Sequence, residues 1–242
     1  MSHKILWLSA SPSLKRLNQP LLQHLSKQID VLEWEYYQTL DEGSCLANAV
    51  ALLYEYLKVH NRPIHLAGHG ISGVIGLLYA RLYPERVKSL CLLSIAAQPA
   101  ITWHSHYYTQ LHLLPCSRQQ VLAQMALSLF GKRLPYPIKD LLEALDRDLD
   151  LAPCPHSLFK LNELPKGGVS MPLLVCRSQT DSIIDPMGQS NWLPCMKLED
   201  RLWECPEGRH FFHYFYPELV SSRLLEFWQT VNSRSLNLSP TV

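Results

Sequence analysis

The sequence predicts an α/β protein with a mostly parallel sheet and helices on both faces. Short apolar runs, such as Ile64 to Ala67, alternate with segments whose apolar residues recur every three or four positions. That alternation is typical of successive strand–helix–strand units, in which neighbouring strands run parallel. Turn-forming stretches such as Ser9-Ala10-Ser11-Pro12 and Asn61-Arg62-Pro63 separate the segments. With 242 residues, the chain is long enough for one large domain with a substantial core.

Residues 1–97 and 170–242 carry this alternation, and we expect them to share one sheet as a single core. In the first part we expect strands at 4–8, 31–37, 64–67 and 87–96, and helices at 20–28, 41–60 and 71–83. In the second part we expect strands at 172–176 and 201–205 and a closing helix at 219–230.

Residues 98–169 have a different character. Prolines break this segment repeatedly, and its helical patterns at 119–130 and 138–148 are not separated by convincing strands. We therefore expect a helical cap, or lid, inserted into the core. The segment begins with an aromatic, histidine-rich run, Trp103-His104-Ser105-His106-Tyr107-Tyr108, which we expect to line a pocket or a partner surface.

Composition and charge narrow the classes of function. The formal net charge of +1 gives no basic footprint for nucleic acid. The N-terminal apolar run, Ile5 to Leu8, is too short for a signal peptide or a membrane span, so we expect a cytoplasmic protein without one. The seven cysteines are typical of reduced core residues rather than of a disulfide framework. No carboxylate or cysteine accompanies the histidines of the aromatic run, so we expect no metal and no cofactor.

A buried strand runs into a glycine-rich turn and then a helix at Ile64-His65-Leu66-Ala67-Gly68-His69-Gly70-Ile71-Ser72-Gly73. This stretch resembles the nucleophile elbow of the α/β-hydrolase family, usually G-x-S-x-G, in which a serine is held on a strained strand-to-helix turn. The Pro84-Glu85-Arg86-Val87 turn and the strand that follows it are also similar to the family's. In the matching register Gly70 stands at the nucleophile position, and Ser72 stands at the second glycine.

Two stretches near the C-terminus resemble the rest of the family's catalytic machinery. Asp181, in a loop directly after a predicted strand, is similar to the triad acid, and His210, in Glu207-Gly208-Arg209-His210-Phe211, is similar to the triad histidine. The chain order of elbow, acid and histidine is that of the family. The resemblance therefore implies an α/β-hydrolase fold in which Asp181 and His210 remain as an acid–histidine pair.

The elbow has one alternative register. Reading Gly70-Ile71-Ser72-Gly73-Val74 as the motif places Ser72 at the nucleophile position, but it replaces the last glycine by valine and moves the elbow half a turn relative to Pro84. We favour the first register, because the separation of Gly70 from Pro84 is then the usual one in the family. Glycine at this position also relieves the strain of roughly 1–3 kcal/mol that a nucleophile at such a turn carries.

Four further residues are candidates for the site. Backbone N–H groups of Ser11 and Ile71 could form an oxyanion hole, although Ser9-Ala10 replace the His-Gly that the family often has there. His69 matches a histidine often found beside the nucleophile, and we interpret it as a packed elbow residue. Trp103, in the aromatic run, is a candidate ligand contact.

Three functions fit these residues. In the first, the protein lacks conventional serine-hydrolase activity, because His210 has no alcohol to deprotonate at Gly70, and it binds a small apolar or ester-like ligand or a protein partner through the cap. In the second, it is an active ester or acyl hydrolase that uses Ser72, or water activated by His210 and Asp181. In the third, it is an assembly factor whose interaction surface is an exposed cap bearing the aromatic run.

Overall fold

The computed structural model describes residues 4–37, 45–157, 159–184 and 192–237. Its strands, in chain order, are β1 (Lys4–Ser9), β2 (Asp30–Glu35), β3 (Ile64–His69), β4 (Val87–Leu93), β5 (Leu173–Ser178) and β6 (Arg201–Cys205). These strands form one sheet in the order β2-β1-β3-β4-β5-β6, and each neighbouring pair is parallel. The α/β class with a parallel sheet is therefore confirmed.

Eight α-helices occur in the described ranges: α1 (Gln19–Leu25), α2 (Leu46–Leu57), α3 (Gly70–Leu82), α4 (Trp103–Leu113), α5 (Arg118–Phe130), α6 (Ile138–Leu151), α7 (Phe212–Phe215) and α8 (Pro217–Asn237). The predicted helices agree with these to within three residues at each end, with two exceptions: α8 continues seven residues beyond the predicted end at 230, and the expected start of α2 at residue 41 lies outside the described residues. Helices α4 and α7 and a 3-10 helix at Pro12–Leu17 were not predicted. The start of α4 is stabilised by reciprocal hydrogen bonds between Thr102 and Ser105, a capping box without the usual Glu or Gln.

Helices cover both faces of the sheet, as predicted, because successive strand residues point to opposite sides. Leu6 and Leu8 of β1 pack in one core with residues of α2 and α3. Ile5 and Trp7 of the same strand pack in a second core with residues of α1 and α8. Strand β1 is consequently buried on both sides, which is typical of an inner parallel strand.

Helices α4, α5 and α6 lie between β4 and β5 in the chain, within the segment expected to form a cap. Their apolar residues, including Tyr107, Leu122 and Leu145, form a third cluster. That cluster also contains Ala96, which follows β4, and Phe211, which follows β6. The three helices therefore pack over the carboxyl end of the sheet, where the turn at Gly70 also lies. The division of the chain at residues 98 and 169 stays a prediction.

Two general expectations concern membranes and thiols. In the part of the chain that the structure describes, none of the helices has the length and apolar character needed to cross a membrane. The seven cysteines are all unpaired. Cys91 and Cys176 are buried in adjacent strands, where burial raises the pKa of both thiols and keeps them protonated.

Candidate active site

The turn between β3 and α3 has the geometry of an elbow. Gly70 has a φ of +52°, in the left-handed region that favours glycine. A Cβ at this position would lie 3.9 Å from Nε2 of His210. Gly68 has no room for a side chain, because a Cβ there would approach the backbone nitrogen of Gly73 to 2.8 Å. Strand and helix thus approach closely at this turn, and a side chain at position 70 would face the imidazole of His210.

Asp181 and His210 form a buried pair. Nδ1 of His210 lies 3.0 Å from Oδ2 of Asp181, and both residues are almost fully buried. The backbone N–H groups of Ile183 and Ile184 donate to the other carboxylate oxygen at 2.9 and 3.2 Å. Burial raises the pKa of the Asp181 carboxyl, but His210 and these N–H groups outweigh it and hold that pKa below its usual value. An ionised Asp181 therefore orients the imidazole with Nε2 towards Gly70.

The backbone of His210 is fixed from three directions. Its carbonyl oxygen accepts hydrogen bonds from Nε2 of His69 at 2.9 Å and from the hydroxyl of Ser94 at 2.8 Å. Its N–H donates to the carbonyl oxygen of Leu129 in α5 at 3.2 Å. Ser94 and Arg209 both have positive φ, at 52° and 54°, an arrangement that costs about 1–3 kcal/mol each and tends to occur at functional sites. Sequence reasoning missed Ser94, whose only signal was its position directly after a strand.

Two further imidazoles pack beside His210. The rings of His69 and His210 are 4.9 Å apart, and those of His69 and His213 are 4.4 Å apart. Burial, with a smaller contribution from neighbouring histidines, lowers the pKa of His69 well below its usual value and that of His213 to about 3. Both rings are consequently neutral at pH 7. The bond from Nε2 of His69 to the His210 carbonyl fits the interpretation of His69 as a packed elbow residue.

The side chain of Ser72 forms a hydrogen bond with the backbone and not with His210. Its Oγ accepts a hydrogen bond of 2.9 Å from the backbone N–H of Ala10, and the side chain is buried. Among the hydrogen bonds of the described residues, none joins Ser72 to His210. Ser72 therefore ties the first turn of α3 to the end of β1.

Two small cavities lie beside Gly70 and His210, with volumes of about 20 and 10 Å³. The predicted site residues are brought together there: the larger cavity is lined by Ser11, His69, Gly70, Ile71, Ser72, Trp103 and His210. A water molecule needs roughly 10–15 Å³ by this measure. Each cavity therefore has room for about one water molecule and not for a large apolar ligand.

The aromatic run of α4 faces inwards. Trp103 is 4% exposed, and His104 and Tyr107 are completely buried. The expectation that this run forms an exposed interaction surface is therefore wrong for these three residues, because the helix turns them towards the third apolar cluster and the site.

A second buried histidine–aspartate pair, missed by sequence reasoning, lies nearby. Nε2 of His104 is 3.2 Å from Oδ2 of Asp148, close enough for an ion pair although the atoms are not aligned as a hydrogen bond. The hydroxyls of Ser11 and Ser13 also approach the Asp148 carboxylate, at 3.4 and 3.2 Å. The signal was present in the sequence, since Asp148 continues the spacing of the buried Leu141 and Leu145 in α6.

Within the ranges that the structure covers, no three His, Cys, Asp or Glu side chains are grouped so that they could hold a metal ion.

Comparison with known proteins identifies the fold of the chain. No protein-family model matches the sequence. Among solved structures, the chain is similar to carboxylesterase CesB from Bacillus subtilis, with a TM-score of 0.65, 13% identity, and coverage of 94% of this chain and 84% of that one. It is also similar to a bacterial membrane phospholipase A, with a TM-score of 0.71, 16% identity, and coverage of 96% and 80%. These likenesses show the α/β-hydrolase fold.

Two relatives are similar over nearly the whole chain. The uncharacterized protein alr2406 of Nostoc sp. is 51% identical over 93% of this chain and 90% of its own length. The uncharacterized protein sll0249 of Synechocystis sp. is 40% identical over 98% of this chain and 95% of its own length. The chain therefore belongs to the family of these Nostoc and Synechocystis proteins, and it has the α/β-hydrolase fold.

Proposed function

We propose that this protein is a degenerate α/β-hydrolase that lacks serine-hydrolase activity and acts as a binding or protein-interaction factor. One observation carries the proposal: the position facing Nε2 of His210 is Gly70, so the acid–histidine pair has no alcohol to deprotonate. A serine hydrolase needs that alcohol to form its acyl-enzyme intermediate. Ser72 is not placed to replace it, because among the hydrogen bonds of the described residues none joins Ser72 to His210, and the Ser72 oxygen is held by the backbone N–H of Ala10.

The volume of the cavities beside His210 limits the size of a ligand that could bind there. A drug-sized ligand needs roughly 300 Å³ or more, whereas the cavities beside His210 measure about 20 and 10 Å³. A small apolar or ester-like ligand beneath α4–α6 would require these helices to move. The geometry therefore disfavours a small molecule bound in these cavities while the three helices stay in place.

A second candidate function has its own support. His210 is oriented by Asp181, and its Nε2 faces a cavity with room for about one water molecule. In an active ester or acyl hydrolase, the imidazole would take a proton from that water as the water attacks the carbonyl carbon. This reaction requires no side chain at position 70.

The substitution Gly70→Ser tests the proposal, with Gly70→Ala as its matched control. Both replacements place a side chain in the left-handed region and should lower the free energy of unfolding by about 1–2 kcal/mol. Only Gly70→Ser supplies an oxygen to His210, so we expect that variant to react with a fluorophosphonate probe and to hydrolyse nitrophenyl acetate. Wild type and Gly70→Ala should do neither.

Each other outcome has a distinct meaning. If folded Gly70→Ser stays inert towards both the probe and the ester, either α4–α6 do not move to admit them or the site has no latent hydrolase geometry. If the wild-type protein turns over the ester, and His210→Ala abolishes the turnover while Ser72→Ala retains it, the function is water-mediated hydrolysis instead.

A further inference from the structure

A much larger cavity, of about 310 Å³, lies at the amino end of the sheet. It is lined by the end of α2, by the start of β3 at Ile64 and by the turn that precedes β4. Strand β3 runs from this cavity to the elbow, so its length of six residues, roughly 17 Å, separates the two places. The volume is within the range of small-molecule sites, roughly 300–1,000 Å³.

The lining of this cavity is cationic. Lys58, Arg62 and Arg86 contribute positive charges, and Glu85 is the only carboxylate among the lining residues. The chain as a whole is almost neutral, with a formal net charge of +1, so this excess is local. Three cationic residues that line one concave surface favour the binding of an anion.

The carboxylates that pair with Lys58 and Arg86 compensate only part of this positive charge. Lys58 forms an exposed ion pair with Glu55, and Nε of Arg86 lies 3.8 Å from Glu85. Exposed pairs of this kind contribute little, about 0–1 kcal/mol, and exchange readily with a better ligand. Among the ion pairs of the described residues, none includes Arg62.

One feature of the backbone acts in the opposite direction. The C-terminal carbonyl groups of α2 point towards the same end of the molecule and carry about half a negative charge. Cations stabilise the negative end of a helix, so this effect alone would explain why Lys58 and Arg62 lie at the end of α2. Lys58, Arg62 and Arg86 carry three positive charges against the two carboxylates of Glu55 and Glu85, so about half a positive charge remains once the helix end is counted, and Arg62 is the cation without an ion-pair partner among the described residues.

We propose that this cavity binds the phosphate group of a phosphorylated molecule. The planar guanidinium of Arg62, which has no ion-pair partner among the described residues, can donate two parallel hydrogen bonds to phosphate oxygens, and Lys58 and Arg86 add positive charge to the same lining. The phosphate could belong to a small soluble molecule or to a lipid headgroup. The second source is included because the segment that leads to the cavity exposes Leu52 and Tyr56 of α2, and Val59 just after its end. This inference does not rest on the state of the elbow.

Calorimetric titration with pyrophosphate at constant ionic strength, and sedimentation with phosphatidylglycerol vesicles against phosphatidylcholine vesicles, test both sources. We expect saturable binding to one of the two phosphate probes, weakened about tenfold or more by Arg62→Gln. Arg223→Gln makes the same charge change at an exposed residue of α8, paired with Glu226, and should leave binding unchanged.

The outcomes separate the sources and can overturn the proposal. Binding of pyrophosphate alone assigns a soluble ligand, and binding of the anionic vesicles alone assigns a lipid headgroup. Arg62→Gln should fold, because Arg62 is exposed, and circular dichroism checks this. No saturable binding to either probe, or equal weakening by Arg62→Gln and Arg223→Gln, would show that the cavity is not a phosphate site.

Discussion

Two buried histidine–aspartate pairs lie within this fold, and they differ in what surrounds them. In Asp181–His210, backbone N–H groups hold the carboxylate, and the far nitrogen of the imidazole faces a cavity beside Gly70. In Asp148–His104, the carboxylate faces the hydroxyls of Ser11 and Ser13, and both nitrogens of the imidazole are buried away from solvent.

The difference shows what makes such a pair chemically available. The same two side chains serve as an acid–base pair only where one imidazole nitrogen reaches a space that a reactant can enter. The pair of Asp148 and His104 instead joins α4 and α6 to the loop after β1, three segments that are far apart in the chain. We therefore expect substitutions in the first pair to affect chemistry and substitutions in the second to affect stability.

The largest effect should appear in the Gly70→Ser background. There, Asp181→Asn should reduce the gained esterase activity about 10³- to 10⁴-fold, because the imidazole loses the carboxylate that orients it and stabilises its protonated form. Asp148→Asn in the same background should reduce it less than tenfold. Steady-state kinetics with nitrophenyl acetate measure both values. Comparable losses from the two substitutions would mean that the pairs do not differ as described.

Asp148→Ala in the wild-type chain should lower the free energy of unfolding by about 2–3 kcal/mol, since it removes a fully buried carboxylate that accepts hydrogen bonds from the hydroxyls of Ser11 and Ser13 and contacts His104. Asp146→Ala is the matched control on the same helix. Asp146 pairs with Arg118 at the surface, so its loss should cost less than about 1 kcal/mol. Urea denaturation measures both, and equal costs would contradict a structural role for Asp148.

A smaller effect should appear when the pH is lowered: the protein should lose stability because of His213, which lies near the Asp181–His210 pair. The pKa of His213 is about 3 in the folded protein and about 6.5 when unfolded. Below pH 6.5 the unfolded chain takes up a proton that the folded chain does not, so stability falls as the pH falls towards 3. At pH 5 the loss from His213 should be about 2 kcal/mol relative to pH 7.

Urea denaturation of wild type and His213→Gln at pH 7 and pH 5 isolates this contribution. The variant should lose about 2 kcal/mol less than the wild type between the two pH values. His69 shifts in the same direction, so some loss should remain in the variant. Identical losses in both proteins would show that His213 takes up a proton equally in the folded and unfolded states.

Sequence alone determined the features that are encoded locally. The alternation of apolar runs and helical stripes predicted the parallel sheet, and the elbow motif placed Gly70 at the strand-to-helix turn, where its φ is +52°. The loops carrying Asp181 and His210 were also found, because their sequences resemble the α/β-hydrolase loops that present the triad acid and histidine. Such signals lie within a few consecutive residues.

Only the tertiary structure determined which residues are hydrogen-bond partners and how large the cavities are. The partner of Ser72 is Ala10, 62 positions away, and the contact of Ser11 with Asp148 spans 137 positions. The direction of the aromatic run and the small cavities beside His210 likewise depend on which distant side chains meet there. A hydrogen-bond partner or a cavity volume is set by packing between remote segments, and no local pattern in the sequence specifies it.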